Sequence, residues 1–450
     1  MGFLLKKYDS GNKSDIKQTV LCSITTEYKK EDLNMPKEDR NILKKLAYKI
    51  KKIANRDEQK EKIKLWKDHN MLKRTKPLIF CDPENGWNEI ITTRHMKCQS
   101  KIGRCWEMNL RKEIFWGDKM GDDRPVVDYF DVPIIAQPDD WSVGVKYRYS
   151  QTKEKTYQSG SYAWDPPIKD YRKDLEKIKF NDPVIDYEIT NGTLGLAKEI
   201  FKDILKVRLK GTWWWTLGIT LTAAMLRGLE NMLYDFYQYP DELKQLLSTI
   251  SKGFIKKLNF LEDNNLLSLN NDNTYIGSGG IGYTEELPQK NFDGTKVRTI
   301  DMWGFAESQE TANVSPEMYE EFIFPYEKPI LDKFGLNCYG CCEPVHSRWN
   351  IIKKHSRIRR VSCCPWVDVD KMVSYLKNKY IFSRKPNPAA LAVKRINKVL
   401  IRSDLRDFFK KTKHCIVEVI MKDNHTLGNN PDNIIEWAKI AQEEATYFTE

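Results

Sequence analysis

A TIM (β/α)8 barrel, with an N-terminal helical extension and an irregular insertion, is the α/β fold this sequence predicts, on three observations. From about residue 338 onward, short apolar runs alternate with helical stretches, and repeated strand–helix units with short connections build a parallel sheet. Candidate strands around Leu78, Val207, Tyr275 and Thr299 bring the count close to eight. A chain of 450 residues, 40% apolar and 12% aromatic, can bury a large core. An open doubly wound sheet is the other architecture these elements allow.

Taken in order, residues 1–36 are polar and weakly patterned and read as a flexible arm. Residues 37–76 form the helical extension, because Ile42, Leu43, Leu46, Ile50 and Ile53 recur at three and four, and Ile63 and Trp66 continue the stripe. The barrel is assigned to 77–450. Its first strand is the apolar run Pro77-Leu78-Ile79-Phe80-Cys81, stopped by the turn-forming Asp82-Pro83-Glu84-Asn85-Gly86. Residues 120–180, rich in Asp, Pro and Tyr, lack periodicity and are expected as the insertion, a functional cover or subdomain.

A strand over 205–209, a continuous helical stretch over 212–237 and a helix over 240–262 follow. Residues 273–283 are expected as a strand with a glycine-rich end, Gly277-Ser278-Gly279-Gly280-Ile281-Gly282. Residues 299–304 form the next strand, and Ser315 caps a helix with Pro316 in its first turn. The spacing then predicts strands at 338–342, 359–363, 380–383 and 416–420. The helices between and after them are expected at 349–355, 368–379, 388–411 and 431–444.

Composition excludes some classes of function. The start, Met1 to Lys6, is too briefly apolar for a secretory signal. The apolar stretch from Trp213 to Leu226 is shorter than the ~20 residues of a membrane span. A soluble cytoplasmic protein is expected. The net charge of +11 is spread along solvated helix faces without a recognition module, so anionic small molecules fit it and nucleic acid is not expected. Ten cysteines do not make a disulfide scaffold, and the thiols are expected reduced.

The candidate chemistry lies in two adjacent cysteine pairs, Cys341-Cys342 and Cys363-Cys364, each closing a strand. On a barrel the carboxyl ends of successive strands would carry Cys341-Cys342-Glu343, Cys363-Cys364, Arg384 to Asn387, and Lys422 to His425. Cys341, Cys363 and His425 are soft and imidazole ligands in the number a catalytic zinc needs, with Glu343 or His346 as substitutes. Small thiols filling the top layer of the barrel explain the same residues equally well. The glycine-rich run reads as a strand-end turn, and His69 as a solvated side chain.

Several segments together resemble the uroporphyrinogen decarboxylase-like family. They are Leu65-Trp66, Arg74-Thr75-Lys76-Pro77 leading to Trp87-Asn88-Glu89, Ser315 to Phe322, Phe334 to Pro344, and Asn387-Pro388-Ala389-Ala390-Leu391. The resemblance spans most of residues 39–445 and implies a TIM barrel with one of two chemistries. The decarboxylases hold a tetrapyrrole with an Arg-Gln-Ala-Gly-Arg type segment, which this chain lacks. The corrinoid methyltransferases bind zinc through a His-x-Cys strand end and a late-strand Cys. Cys341 matches the Cys of that strand end, Tyr339 stands at the His position, and the late strand offers Asp423 and His425.

The resemblance therefore implies a methyltransferase working with a methyl-corrinoid carried by a partner corrinoid protein, and it admits a homodimer. Zinc on Cys341, Cys363 and His425 would activate the acceptor, with Glu343, Asp423 and Tyr339 as catalytic groups. Asp301, His346, Arg384, Asn387 and Lys422 would bind substrate. The alternative is a metal-free decarboxylase or lyase in which Asp301, Lys422 and Arg384 hold an anionic, tetrapyrrole-like substrate. A catalytically silent barrel used for binding is the third reading.

Overall fold

The computed structural model describes residues 28–149 and 162–448. Residues 1–27 of the expected arm and 150–161 of the expected insertion lie outside the described residues.

The extension is two helices rather than one. Lys37–Ala54 buries Leu43, Leu46, Ala47, Ile50 and Ile53, and packs on the helix Lys101–Phe115. The chain turns extended at Arg56, whose guanidinium donates to Gly117 O and Asp118 Oδ1, and resumes as Asp57–Asn70.

Ten strands follow among the described residues: β1 (Leu78–Cys81), β2 (Tyr129–Pro133), β3 (Lys146–Tyr149), β4 (Tyr162–Asp165), β5 (Lys206–Lys210), β6 (Trp303–Ala306), β7 (Leu336–Tyr339), β8 (Ile358–Cys363), β9 (Ile381–Arg384) and β10 (Ile416–Met421). Six of them form one parallel sheet in the order β1-β10-β9-β8-β7-β6. β2 and β5 make a separate parallel pair, and β3 and β4 a hairpin. Hydrogen bonds tie the segments flanking the β2–β5 pair to the two edge strands of the sheet. Asp123 N–H donates to Ile79 O (2.8 Å), and Leu217 N–H to Phe305 O (2.9 Å). The fold is thus a mixed α/β structure with a parallel sheet, and its strand ladder does not close among the described residues.

Four expectations need correction. The segment 120–180 is not irregular throughout, since it supplies β2 and the hairpin. Residues 273–283 form a tight turn with one isolated bridge, Tyr275 to Ile281, instead of a strand. Gly277 there has φ +58°, and any Cβ would fall 2.1 Å from the Phe305 ring, so only glycine fits. The helical stretch 212–237 starts late and breaks at Gly228 (φ +89°) into Ile219–Arg227 and Leu229–Gln238. The stretch 388–411 is a short turn, Pro388–Ala390, followed by the helix Lys398–Thr412.

β7 places Leu336 and Cys338 in an apolar cluster with Ile276, Leu287, Trp303 and Phe305. Nearby, the sheet buries charge: Arg360 pairs with Glu418 at 2.9 Å, and His69 Nε2 meets Glu418 at 3.1 Å. Arg360 also donates to Asn70 Oδ1 (2.6 Å) at the end of the second helix and lies over the Trp303 ring. His69 is therefore a buried partner of Glu418 and not a solvated side chain.

Candidate functional site

Parallel strands put their carboxyl ends on one side of a sheet, where loops gather polar side chains against a rigid frame. Here β6 leads into Glu307 and Ser308, β7 into Gly340-Cys341-Cys342-Glu343, β9 into Lys385, and β10 into Lys422 and Asp423. β7 ends at Tyr339, earlier than expected, because Gly340 (φ +102°) turns the chain where a Cβ would meet Ser362 O at 2.5 Å.

The centre is the sulfur of Cys341. Lys385 Nζ and Ser278 Oγ each stand 3.3 Å from Sγ, and Lys385 also donates to Ser278 Oγ at 2.9 Å. Lys385 is 1% exposed and Cys341 3% exposed. A buried ammonium needs an anion beside it, and among the described residues Nζ donates to this sulfur and this hydroxyl. Cys342 Sγ lies 3.7 Å from Cys341 Sγ, and Cys342 is exposed.

The Cys341 thiol is accordingly held well below its ordinary range. The Cys342 S–H does most of this, and Lys385, Lys422 and Ser278 add to it against the upward push of burial. Burial is the largest influence on Lys385 and works against its proton, but Cys341 together with Cys342 and Asp423 holds the ammonium above its ordinary value. Ser278 reaches the sulfur from the glycine-rich turn, which Ser362 Oγ anchors by donating to Ser278 O (3.0 Å).

Lys422 is also buried, 3.3 Å from Glu84 Oε1 and 3.7 Å from Asp423 Oδ1, with its ammonium over the Tyr275 and Trp215 rings. Burial pushes the Asp423 carboxyl upward, yet Lys422 and Lys385 bring it below its ordinary value. Opposite these cations stand three acids. Glu343 accepts from Ser308 N (3.0 Å) and Cys341 N (2.9 Å). Glu310 accepts from Thr220 Oγ1 (2.8 Å), and Glu307 accepts from Gln309 N (3.0 Å). Burial raises all three, and Glu307 most evidently, with Glu310, Glu343 and Cys341 adding repulsion. Among the described residues, the buried Glu307 Oε1 has no hydrogen-bond partner.

Tyr339 faces away from this centre, into a buried network. Its hydroxyl donates to Glu327 Oε2 (2.8 Å) and meets Tyr319 OH (2.8 Å) and Ser308 Oγ (3.3 Å).

Of the residues singled out in the sequence, Cys341, Glu343, Lys422 and Asp423 come together, and Tyr339 backs them. The others do not join. Asp301 is buried before the amino end of β6, bound by Arg298 at 2.8 and 2.9 Å, because the strand starts at Trp303. Arg384 pairs with Asp404 (2.7 Å) over Phe408, and Asn387 caps the turn Pro388–Ala390. His346 Nδ1 accepts from Asp368 N at 3.3 Å.

Cys363 Sγ points to Val361 O (3.6 Å), and His425 Nδ1 lies 3.3 Å from Asn85 on the surface. Among the described residues no three His, Cys, Asp or Glu side chains are gathered as metal ligands. Cys341, Cys363 and His425 thus do not fit zinc as arranged. Eight described cysteines are free, while Cys105 is disulfide-bonded and departs from the expectation of reduced thiols.

Sequence reasoning missed Lys385, Ser278, Glu307 and Glu310. One signal for Lys385 was available, since β9 and β10 are each followed at once by a lysine.

No family model and no curated protein matches the chain. Among solved structures, a methyltransferase from Methanosarcina mazei is similar at a TM-score of 0.46 and 10% identity, covering 85% of this chain and 97% of that one. No helix among the described residues is long and apolar enough to cross a membrane.

Proposed function

We propose that the protein is a methyltransferase in which Cys341 Sγ exchanges a methyl group with a methyl-corrinoid carried by a partner protein. The supporting observation is the enclosed ammonium–sulfur pair, Lys385 Nζ 3.3 Å from Cys341 Sγ. Only the thiolate is a competent nucleophile, and this pair favours that form of the sulfur at a buried site. The match of Cys341 to the strand-end cysteine of the corrinoid methyltransferases favours methyl as the group transferred.

In the forward direction Sγ forms a bond to the methyl carbon, the bond from that carbon to the corrinoid breaks, and the electron pair leaves with the corrinoid. Lys385 and Lys422 supply positive charge beside the sulfur, the task that zinc performs in the family the sequence resembles. Glu343 holds the Cys341 and Ser308 N–H groups and so fixes the loop that presents the thiolate. Asp423 and Glu84 balance Lys422. The lyase reading draws no support, because Asp301 and Arg384 are engaged elsewhere.

The test is anaerobic mixing with methylcobalamin, followed by its visible spectrum and by mass analysis of the Cys341 peptide. The expected result is demethylation matched by one added methyl on Cys341, lost in Cys341→Ser. Unchanged methylcobalamin with folded protein, or equal demethylation by Cys341→Ser, overturns the proposal.

A further inference from the structure

We infer that Cys341 is a peroxide-reactive residue, converted by hydrogen peroxide to a sulfenic acid ahead of the exposed Cys342 beside it. The inference rests on the same thiolate as the proposed methyl transfer and needs neither a corrinoid nor a methyl donor.

Three features of the cluster carry it. The first is the charge pair: Lys385 Nζ and Ser278 Oγ, both 3.3 Å from Sγ, hold a nucleophilic anion and donate towards the place where a peroxide oxygen arrives. The second is enclosure: Cys341 and Lys385 are both buried, so solvent screens the pair little.

The third is the geometry of the neighbouring thiol. Adjacent Cα atoms stand about 3.8 Å apart, short of the roughly 4.4 Å at which disulfides begin. Cys342, although its sulfur lies 3.7 Å away, is therefore poorly placed to consume the oxidised sulfur as a disulfide.

The step balances with peroxide as the only co-reactant. Sγ attacks one peroxide oxygen, the S–O bond forms and the O–O bond breaks. The departing hydroxide takes a proton from the Lys385 ammonium to give water, so sulfur loses two electrons and peroxide gains them. The sulfenic acid stays bound to Lys385 and Ser278, where it stands at the reversible stage of thiol oxidation. In that state the site has no thiolate, and methyl transfer stops.

The whole protein is treated with hydrogen peroxide and then dimedone, and the adduct is located by peptide fragmentation. A single adduct on Cys341 with Cys342 unlabelled is expected, and Lys385→Met should lower the labelling rate by about tenfold or more. An adduct first on Cys342, no adduct on either, or a Cys341–Cys342 disulfide overturns the inference, and the wild-type result decides it should the variant misfold. Labelling of Cys341 by protein that leaves methylcobalamin intact sinks the methyltransferase reading alone. Methylcobalamin turnover without labelling sinks this inference alone.

Discussion

Replacing Lys385 by Met keeps the length and packing of the side chain and removes its charge. At 3.3 Å, an ammonium and a thiolate attract by about 5 kcal/mol for an effective dielectric constant of about 20. At about 1.4 kcal/mol per factor of ten, the whole of that would exceed a thousandfold in thiolate population. Cys342 and Ser278 still donate to the sulfur and Lys422 remains nearby, so a loss of about a hundredfold in the reactivity of Cys341 at neutral pH is expected.

The assay is alkylation by methyl iodide, quantified on the Cys341 peptide over a range of pH. The thiol moves upward when the ammonium is lost, so raising the pH should restore the rate in Lys385→Met, and Lys385→Arg should stay close to wild type. Equal rates and pH profiles for Lys385→Met and wild type would refute the view that this lysine holds the thiolate.

Other outcomes follow from the same geometry. Burial raises the Glu327 carboxyl to about 8 from its ordinary 4.5. The folded state therefore keeps a proton that the unfolded chain gives up. Its stabilising effect is complete below the ordinary value and is lost as pH rises towards 8, at about 1.4 kcal/mol per pH unit. Urea midpoints for Glu327→Gln should lack that part of the slope, and parallel slopes would contradict it. Arg360→Leu strands the fully buried Glu418 and should cost about 3–5 kcal/mol, read as a lowered urea midpoint. His425→Ala should leave methylcobalamin demethylation within about twofold, ~0.4 kcal/mol in the barrier. A tenfold loss there would restore the zinc reading.

The repeating strands and helices after residue 336 were legible because apolar runs bounded by turns and caps specify them locally. β2 was not, since Tyr129–Pro133 carries a proline and an acid and its pairing partner, β5, lies about seventy residues on. The strand expected over residues 273–283 failed for the opposite reason, although its glycine-rich end was read as a turn. Its residues alternate like a strand, but Gly277 at φ +58° folds the chain back, and that conformation belongs to the packing against Phe305. Asp301 was misplaced by a four-residue error in where β6 begins, at Trp303 rather than residue 299, which leaves it ahead of the strand.

The same sensitivity explains why the site was half seen. Successive side chains of a strand face opposite sides, so at the end of β9 a shift of one residue separates Arg384, paired with Asp404 on the helix side, from Lys385 on the sulfur. At the end of β7 that alternation turns Tyr339 towards Glu327, and Gly340 at φ +102° then redirects the chain so that Cys341 enters the centre. A cysteine pair in a sequence cannot say which member is enclosed. The left-handed glycine and the lysine one strand away decide it, and they make Cys341, rather than the exposed Cys342, the residue on which the chemistry turns.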